Sequence, residues 1–239
     1  MKNLSSIVAA GVVAAVSTSA SAAVVVGWTM PTAFPTGAGT VPTGTSYVPP
    51  MAVGAPAGQA DQGANIAGSE IKSVHALAAA TYTSPAGNGS QYAFSSNNWS
   101  SGDYYQVSFS AAGFTELSVS WDQARSSTGP ASFTLLASTD GINFTTLLAS
   151  YTVLQSGGGG APGTWSSTTY NPIYTLTQAL GAGFDNASTV TIRFQSTVTA
   201  AASGSSRIDN VFVNGTAVPA PGALALLGVA GLVGSRRRR

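Results

Sequence analysis

Groups able to move protons or activate a nucleophile are scarce in this 239-residue chain: one histidine, His75, eight carboxylates strung between positions 61 and 209, and no cysteine. General acid–base catalysis needs two such groups brought to one substrate, and no Gly-x-Ser-x-Gly nucleophile elbow is present. His75 follows Val74 and precedes Leu77 in a stretch that reads as strand, so it reads as a packed core histidine. No catalytic residue is therefore expected. A glycoside hydrolase stays open as a lesser alternative, because its two acids need not be neighbours in sequence.

Metal chemistry is equally thin. No EF-hand loop occurs, and the oxygen donors best placed for calcium by type, Asp103, Asp185 and Asp209, read as turn caps or as ion partners of Arg193 and Arg207. Asp140 belongs to an Asp140-Gly141 turn. The expectation is no metal and no cofactor. Aromatic rings are the remaining chemistry, since an indole or phenol can stack on the apolar face of a sugar. Trp99, Tyr104 and Trp165 lie in or beside polar segments and are the candidates for glycan contact, whereas Trp121 is in phase with Leu117 and Val119 and reads as core.

The elements that must hold these residues follow from period-two alternation, the pattern of half-buried strands. Tyr105, Val107 and Phe109 share a face, as do Leu117, Val119 and Trp121, then Phe133, Leu135 and Ala137, then Val190, Ile192 and Phe194. The intervening residues are mostly polar. Asp140-Gly141 predicts a tight hairpin, the glycines at 157–160 with Pro162 a surface loop, and 207–214 a closing strand. No long helical period is present. The fold class expected is all-β, an antiparallel β-sandwich of jelly-roll type.

Composition divides the chain into four parts. Residues 1–22 carry Lys2, an apolar run over 7–16 and Ala20-Ser21-Ala22, the layout of a signal peptide cut before Ala23 by signal peptidase. Residues 23–68 hold six of the twelve prolines and read as extended loop beyond a first strand over 24–30. Residues 69–217 form the sandwich. Residues 218–239 run from a Pro-x-Pro break through an apolar stretch to four arginines.

With Lys2 and Arg236, Arg237, Arg238 and Arg239 set aside, four basic residues face eight acids. A mature domain near −4 offers no basic patch for nucleic acid or anionic lipid, which points to neutral targets. The absence of cysteine excludes disulfides and thiolate metal sites and suits a bacterial envelope protein.

The last 22 residues resemble the PEP-CTERM sorting domain, also known as the ice-binding protein C-terminal domain. Val218, Pro219, Ala220 and Pro221 stand where that family has Val-Pro-Glu-Pro, with Ala220 replacing the glutamate. An apolar stretch over 223–234 follows, with Ala223, Leu224, Leu226, Leu227, Val229, Leu232 and Val233 as its membrane-facing residues, and the arginines close it. The resemblance implies cutting by an exosortase-type transpeptidase in bacteria that make exopolysaccharide. The stretch is shorter than the ~20 residues of a full span, and its arginines stay on the cytoplasmic side. The expectation is a transient inner-membrane anchor, then release to the cell surface or the extracellular matrix.

The segments Ser95-Ser96-Asn97-Asn98-Trp99, Gly102-Asp103-Tyr104-Tyr105-Gln106, 118–123, 126–130, 138–144 and 206–211 are similar to jelly-roll modules of the carbohydrate-binding or laminin-G kind found in exported bacterial proteins. That likeness implies the fold and names no ligand. The leading reading is a non-catalytic structural or adhesive surface protein. The alternative is a carbohydrate-binding module with exopolysaccharide as partner.

Overall fold

The structure, a computed structural model, describes residues 22–34 and 40–219. The signal-peptide residues up to Ser21, Ala20 among them, lie outside the described residues. So do Ala220, Pro221, the apolar stretch from Ala223 to Val233 and Arg236 to Arg239.

Among the described residues, thirteen strands form two antiparallel sheets. In chain order they are β1 (Ala22–Trp28), β2 (Thr40–Val41), β3 (Ser46–Tyr47), β4 (Glu70–Val74), β5 (Ala80–Thr83), β6 (Phe94–Asn97) and β7 (Tyr104–Phe109). They continue with β8 (Phe114–Arg125), β9 (Ser132–Ser138), β10 (Thr145–Thr152), β11 (Thr175–Ala179), β12 (Val190–Ser196) and β13 (Ser205–Ala217). Two 3₁₀ turns, Pro172–Tyr174 and Ala182–Phe184, flank β11. The first sheet runs β11-β8-β13-β6-β5-β2, with β1 also on β13, and the second runs β10-β9-β12-β7-β4-β3. This is the antiparallel sandwich that the alternation predicts.

The rows expected inside are inside. Val107, Phe109, Leu117, Val119, Trp121, Phe133, Leu135, Ile192 and Phe194 are all buried, and each such side chain contributes roughly 1.5–3 kcal/mol relative to exposure. Rings interlock between the sheets, Trp121 against Phe194 at 5.1 Å and Tyr151 at 5.3 Å, and Trp99 against Tyr105 at 4.9 Å.

β13 serves two neighbours on one edge: residues 205–208 pair with β6, and residues 211–216 pair with β1. A register shift between Asp209 and Phe212 separates the two halves, and Asn210 sits there at φ 47°, a left-handed conformation that asparagine tolerates better than most residues.

The first strand expected over 24–30 is β1 (Ala22–Trp28), and the extended segment after it is tied to the sandwich by the two-residue strands β2 and β3, with Met30, Phe34 and Met51 in the core. Proline and glycine punctuate this segment, but its large apolar side chains still find the inter-sheet space. One sequence expectation is corrected: the β9–β10 connection is longer than a two-residue turn, since Ala137 pairs with Thr145. Asp140 caps it, accepting from the backbone N–H of Ile142 and Asn143 and from the Asn143 amide, which holds its carboxyl well below the usual range.

Candidate functional site

Polar side chains of four strands line a groove on the outer face of the first sheet. Along β5, β6 and β13 the inward residues Tyr82, Phe94, Ser206 and Ile208 alternate with Thr81 and Thr83, Ser95 and Asn97, Ser205 and Arg207. Register sets these in rows: Thr83 opposes Ser95, which opposes Arg207, and Asn97 opposes Ser205. With Arg125, Ser126 and Ser156 they enclose about 350 Å³, within the usual size range of ligand pockets.

The wall that makes this a groove is the excursion between β10 and β11. It folds back over Ala93 and Ala124 and buries Trp165 and Tyr174 in a cluster of its own. Their rings meet edge to face at 5.9 Å, and the Tyr174 hydroxyl lies within donating reach of two carbonyls, Gln155 O at 2.9 Å and Gly163 O at 2.8 Å.

A network of amides and two carboxylates anchors that wall. Asp122 and Asp209 face each other on β8 and β13 and are both buried. Asp122 accepts from Thr175, Asn88 and Asn210, and Asp209 Oδ2 accepts from the Asn88 N–H and from Ser90. Asn88 in turn accepts from the Asn171 N–H and donates to its carbonyl, both at 2.9 Å. A Cβ at position 87 would collide with Ser90 Oγ and Asp209 Oδ2, so Gly87 is required for the closure. Burial pushes Asp209 up to about 7 and raises Asp122 as well; Asp209 Oδ1 has no hydrogen-bond partner. These two carboxylates come nearest to a hydrolase pair, and both are sealed and occupied in holding loops.

Arg207 projects from β13 into the groove. Its guanidinium lies 4.8 Å from the Trp165 ring, and its Nη atoms donate to Ala86 O at 3.0 Å and Ser156 Oγ at 2.6 Å. Desolvation lowers its pKa below the ordinary value, against the opposing influence of Tyr174 and Asp209. Arg125, at the end of β8, donates to the carbonyls of Val153, Ser126 and Ser127. Among the described residues only Lys72–Glu70 and His75–Asp103 form ion pairs within 4.0 Å. The expected pairing of Asp209 or Asp185 with Arg193 or Arg207 is therefore not made.

The three aromatic candidates do not converge. Trp99 is 0% exposed, packed on His75 at 4.6 Å with its Nε1 donating to Ser96 O, so it has no face for a sugar. Trp165 is 3% exposed and backs Arg207 rather than a ligand. Tyr104 is half-buried on the outer face of the second sheet. There Arg193 lies 4.3 Å from its ring and 4.0 Å from that of Phe144, and donates to Gln106 at 2.8 Å. The groove residues Thr81, Thr83, Ser95, Ser205 and Arg207 were missed in the sequence; their only signal was that they are the polar alternates of buried strand residues.

His75 is a core residue, as its sequence context suggests, and makes three polar contacts. Nδ1 lies 3.1 Å from Asp103 Oδ2 and 3.2 Å from Asn98 O, and Nε2 lies 3.1 Å from Ser96 Oγ. Both groups facing Nδ1 are acceptors, so Nδ1 carries the proton. Asp103 also accepts from the N–H groups of Ala76 and Ser100. Asp185 accepts from the Glu116 N–H.

Near the chain ends, Ala22 pairs with Thr216 and Ala23 with Gly215, and the Val218 N–H donates to Gly113 O. The expected leader junction therefore lies beside the exit toward Pro219.

No family model matches this chain, and no curated protein matches it. Among solved structures it is similar to a cleaved adhesin domain of Lys-gingipain from Porphyromonas gingivalis, at 18% identity over 78% of this chain and 95% of that one, TM-score 0.40. It is also similar to TmCBM61 in complex with β-1,4-galactotriose, at 9% identity over 62% and 88%, TM-score 0.35. A third is the family 11 carbohydrate-binding module of the cellulase Lic26A-Cel5E of Clostridium thermocellum, at 14% identity over 67% and 93%, TM-score 0.35.

Proposed function

We propose that this chain is an exported, non-catalytic module that binds polysaccharide in the groove on its first sheet. One observation carries the reading: a cavity of about 350 Å³ is lined by hydroxyl, amide and guanidinium groups and by no carboxylate. Such a surface offers many directed hydrogen bonds to a polyhydroxylated chain and no acid–base pair to cleave it. Purified chain from residue 23 on, applied to a glycan array, should bind a polysaccharide. Thr83→Phe, which fills the groove mouth, should weaken that binding at least about tenfold, close to 1.4 kcal/mol. Tyr104→Ala, on the opposite face, should leave it unchanged. Binding abolished by Tyr104→Ala alone would put the site on the second sheet, and no glycan binding at all would end the reading.

Delivery rests on the two ends. In this reading signal peptidase releases Ala23, the PEP-CTERM-like tail holds the protein at the inner membrane, and an exosortase-type enzyme cuts near Pro219 and Pro221. What supports this is the order of the tail: a Pro-x-Pro break, a short apolar stretch, then four arginines, which resist crossing the membrane. Mass spectrometry of the surface fraction should find a C-terminus near residue 220. Intact chain ending at Arg239 as the only surface form would contradict it.

A further inference from the structure

We propose that the polysaccharide bound in this groove is acidic, with a carboxylate or sulfate group seated on Arg207 and Arg125. The inference rests on the glycan-binding reading and adds the charge of the ligand. Only four cationic side chains occur among the described residues, and two of them line one groove.

Every acid is engaged elsewhere. Asp61 accepts from Thr29, Glu70 pairs with Lys72, Asp103 with His75, and Glu116 accepts from Thr216. Asp122 and Asp209 are sealed in the amide network, Asp140 caps the β9–β10 connection and Asp185 caps Glu116. The nearest, Asp209, is the next outward residue on β13, yet it reaches neither guanidinium within 4.0 Å.

A half-buried guanidinium with no carboxylate in direct contact is costly to keep, because the more distant influence of Asp209 does not offset its desolvation. An anionic ligand supplies the missing charge. Donors also remain: Arg125 Nη2 and Arg207 Nε make no hydrogen bond to the protein among the described residues. The Arg207 head is held from behind by Trp165 and Ala86 O, so little freedom is lost on binding. A guanidinium so fixed favours planar carboxylate or a sulfate oxygen pair over a neutral hydroxyl. The flanking hydroxyls of Thr83, Ser95, Ser126 and Ser205 suit the rest of a sugar residue. A domain near −4 repels polyanions in general, so affinity for one must come from this local arrangement.

The test is titration calorimetry of the mature chain against polygalacturonate, its carboxyl-reduced neutral counterpart, dextran sulfate and dextran. At least one acidic polymer should bind about tenfold or more tighter than its neutral partner, and which one does so identifies carboxylate or sulfate. Arg207→Gln should erase that difference. Thr83→Glu, which leaves every Arg207 bond in place and adds a carboxylate on the exposed rim, should erase it too, so a folding defect in the first variant does not decide the matter. Equal binding of neutral and acidic polymers, weakened by Thr83→Phe, would overturn the charge assignment while leaving the groove reading standing. No binding of any polymer, there or on the array, would overturn both.

Discussion

Asp103→Ala should lower the stability of the domain by roughly 2–5 kcal/mol, because each buried donor left without its acceptor costs about 1–3 kcal/mol. Asp103 is fully buried and makes three separate contacts: it accepts from His75 Nδ1 at 3.1 Å, from the Ala76 N–H at 2.8 Å and from the Ser100 N–H at 2.6 Å. Deleting it leaves the buried N–H groups of Ala76 and Ser100 without their acceptor on two segments at once, and leaves His75 Nδ1 only Asn98 O. Ser96→Ala should cost far less, because it removes one neutral contact to His75. The spacing Asp103–His75–Ser96 matches the relay of a hydrolytic triad, but the Ser96 hydroxyl points at His75 and Tyr105 in the core, away from solvent. Urea titration measures both variants. A loss below about 1 kcal/mol for Asp103→Ala would show that this network does not hold the loops together.

The second large effect is pH-dependent. Asp209 is raised from an ordinary carboxylate value of 3.8 to about 7 by burial, with Asp122 opposite adding to the rise and Ser90, Asn88 and Asn210 opposing it. Between those two values the folded chain keeps a proton that the unfolded chain has released. Stability from this group is therefore highest below about pH 4 and falls as pH rises to about 7, with a slope of up to about 1.4 kcal/mol per pH unit. Asp122, also raised, acts in the same direction, whereas the lowered Asp140 acts only at lower pH. Asp209→Asn cannot ionise and should flatten most of the decline. Thermal unfolding from pH 5 to 8 is the measurement, and a flat wild-type profile would mean that Asp209 stays charged in the fold.

Both sheets were legible in the sequence wherever strands are wet on one face: Leu117, Val119 and Trp121 declare their side by their polar neighbours. Trp99 was misread for the converse reason. Its neighbours Ser96 and Asn98 are polar, but their side chains are satisfied inside the fold by His75 and Ala79 O, so local polarity gave the wrong sign. Trp165 was hidden similarly, in a Gly/Ser/Thr-rich excursion that closes on Tyr174. The groove could not be read because its parts lie as far apart as Thr81 and Arg207, and outer-face Ser and Thr look alike whether they meet water or a ligand. Net charge averages over the chain, so it carries no sign that the fold gathers Arg125 and Arg207 into one groove.

The proposed binding of polysaccharide in the outer groove of the first sheet can be observed residue by residue. The most direct measurement is chemical-shift mapping of the isotope-labelled mature chain titrated with an oligosaccharide of the polymer that binds best. Saturable shifts are expected at Thr81, Thr83, Ser95 and Ser205 and at the Arg207 guanidinium, with Tyr104, Gln106 and Arg193 unmoved. Shifts confined to the Tyr104–Arg193 face, or none at saturating ligand, would contradict that proposal.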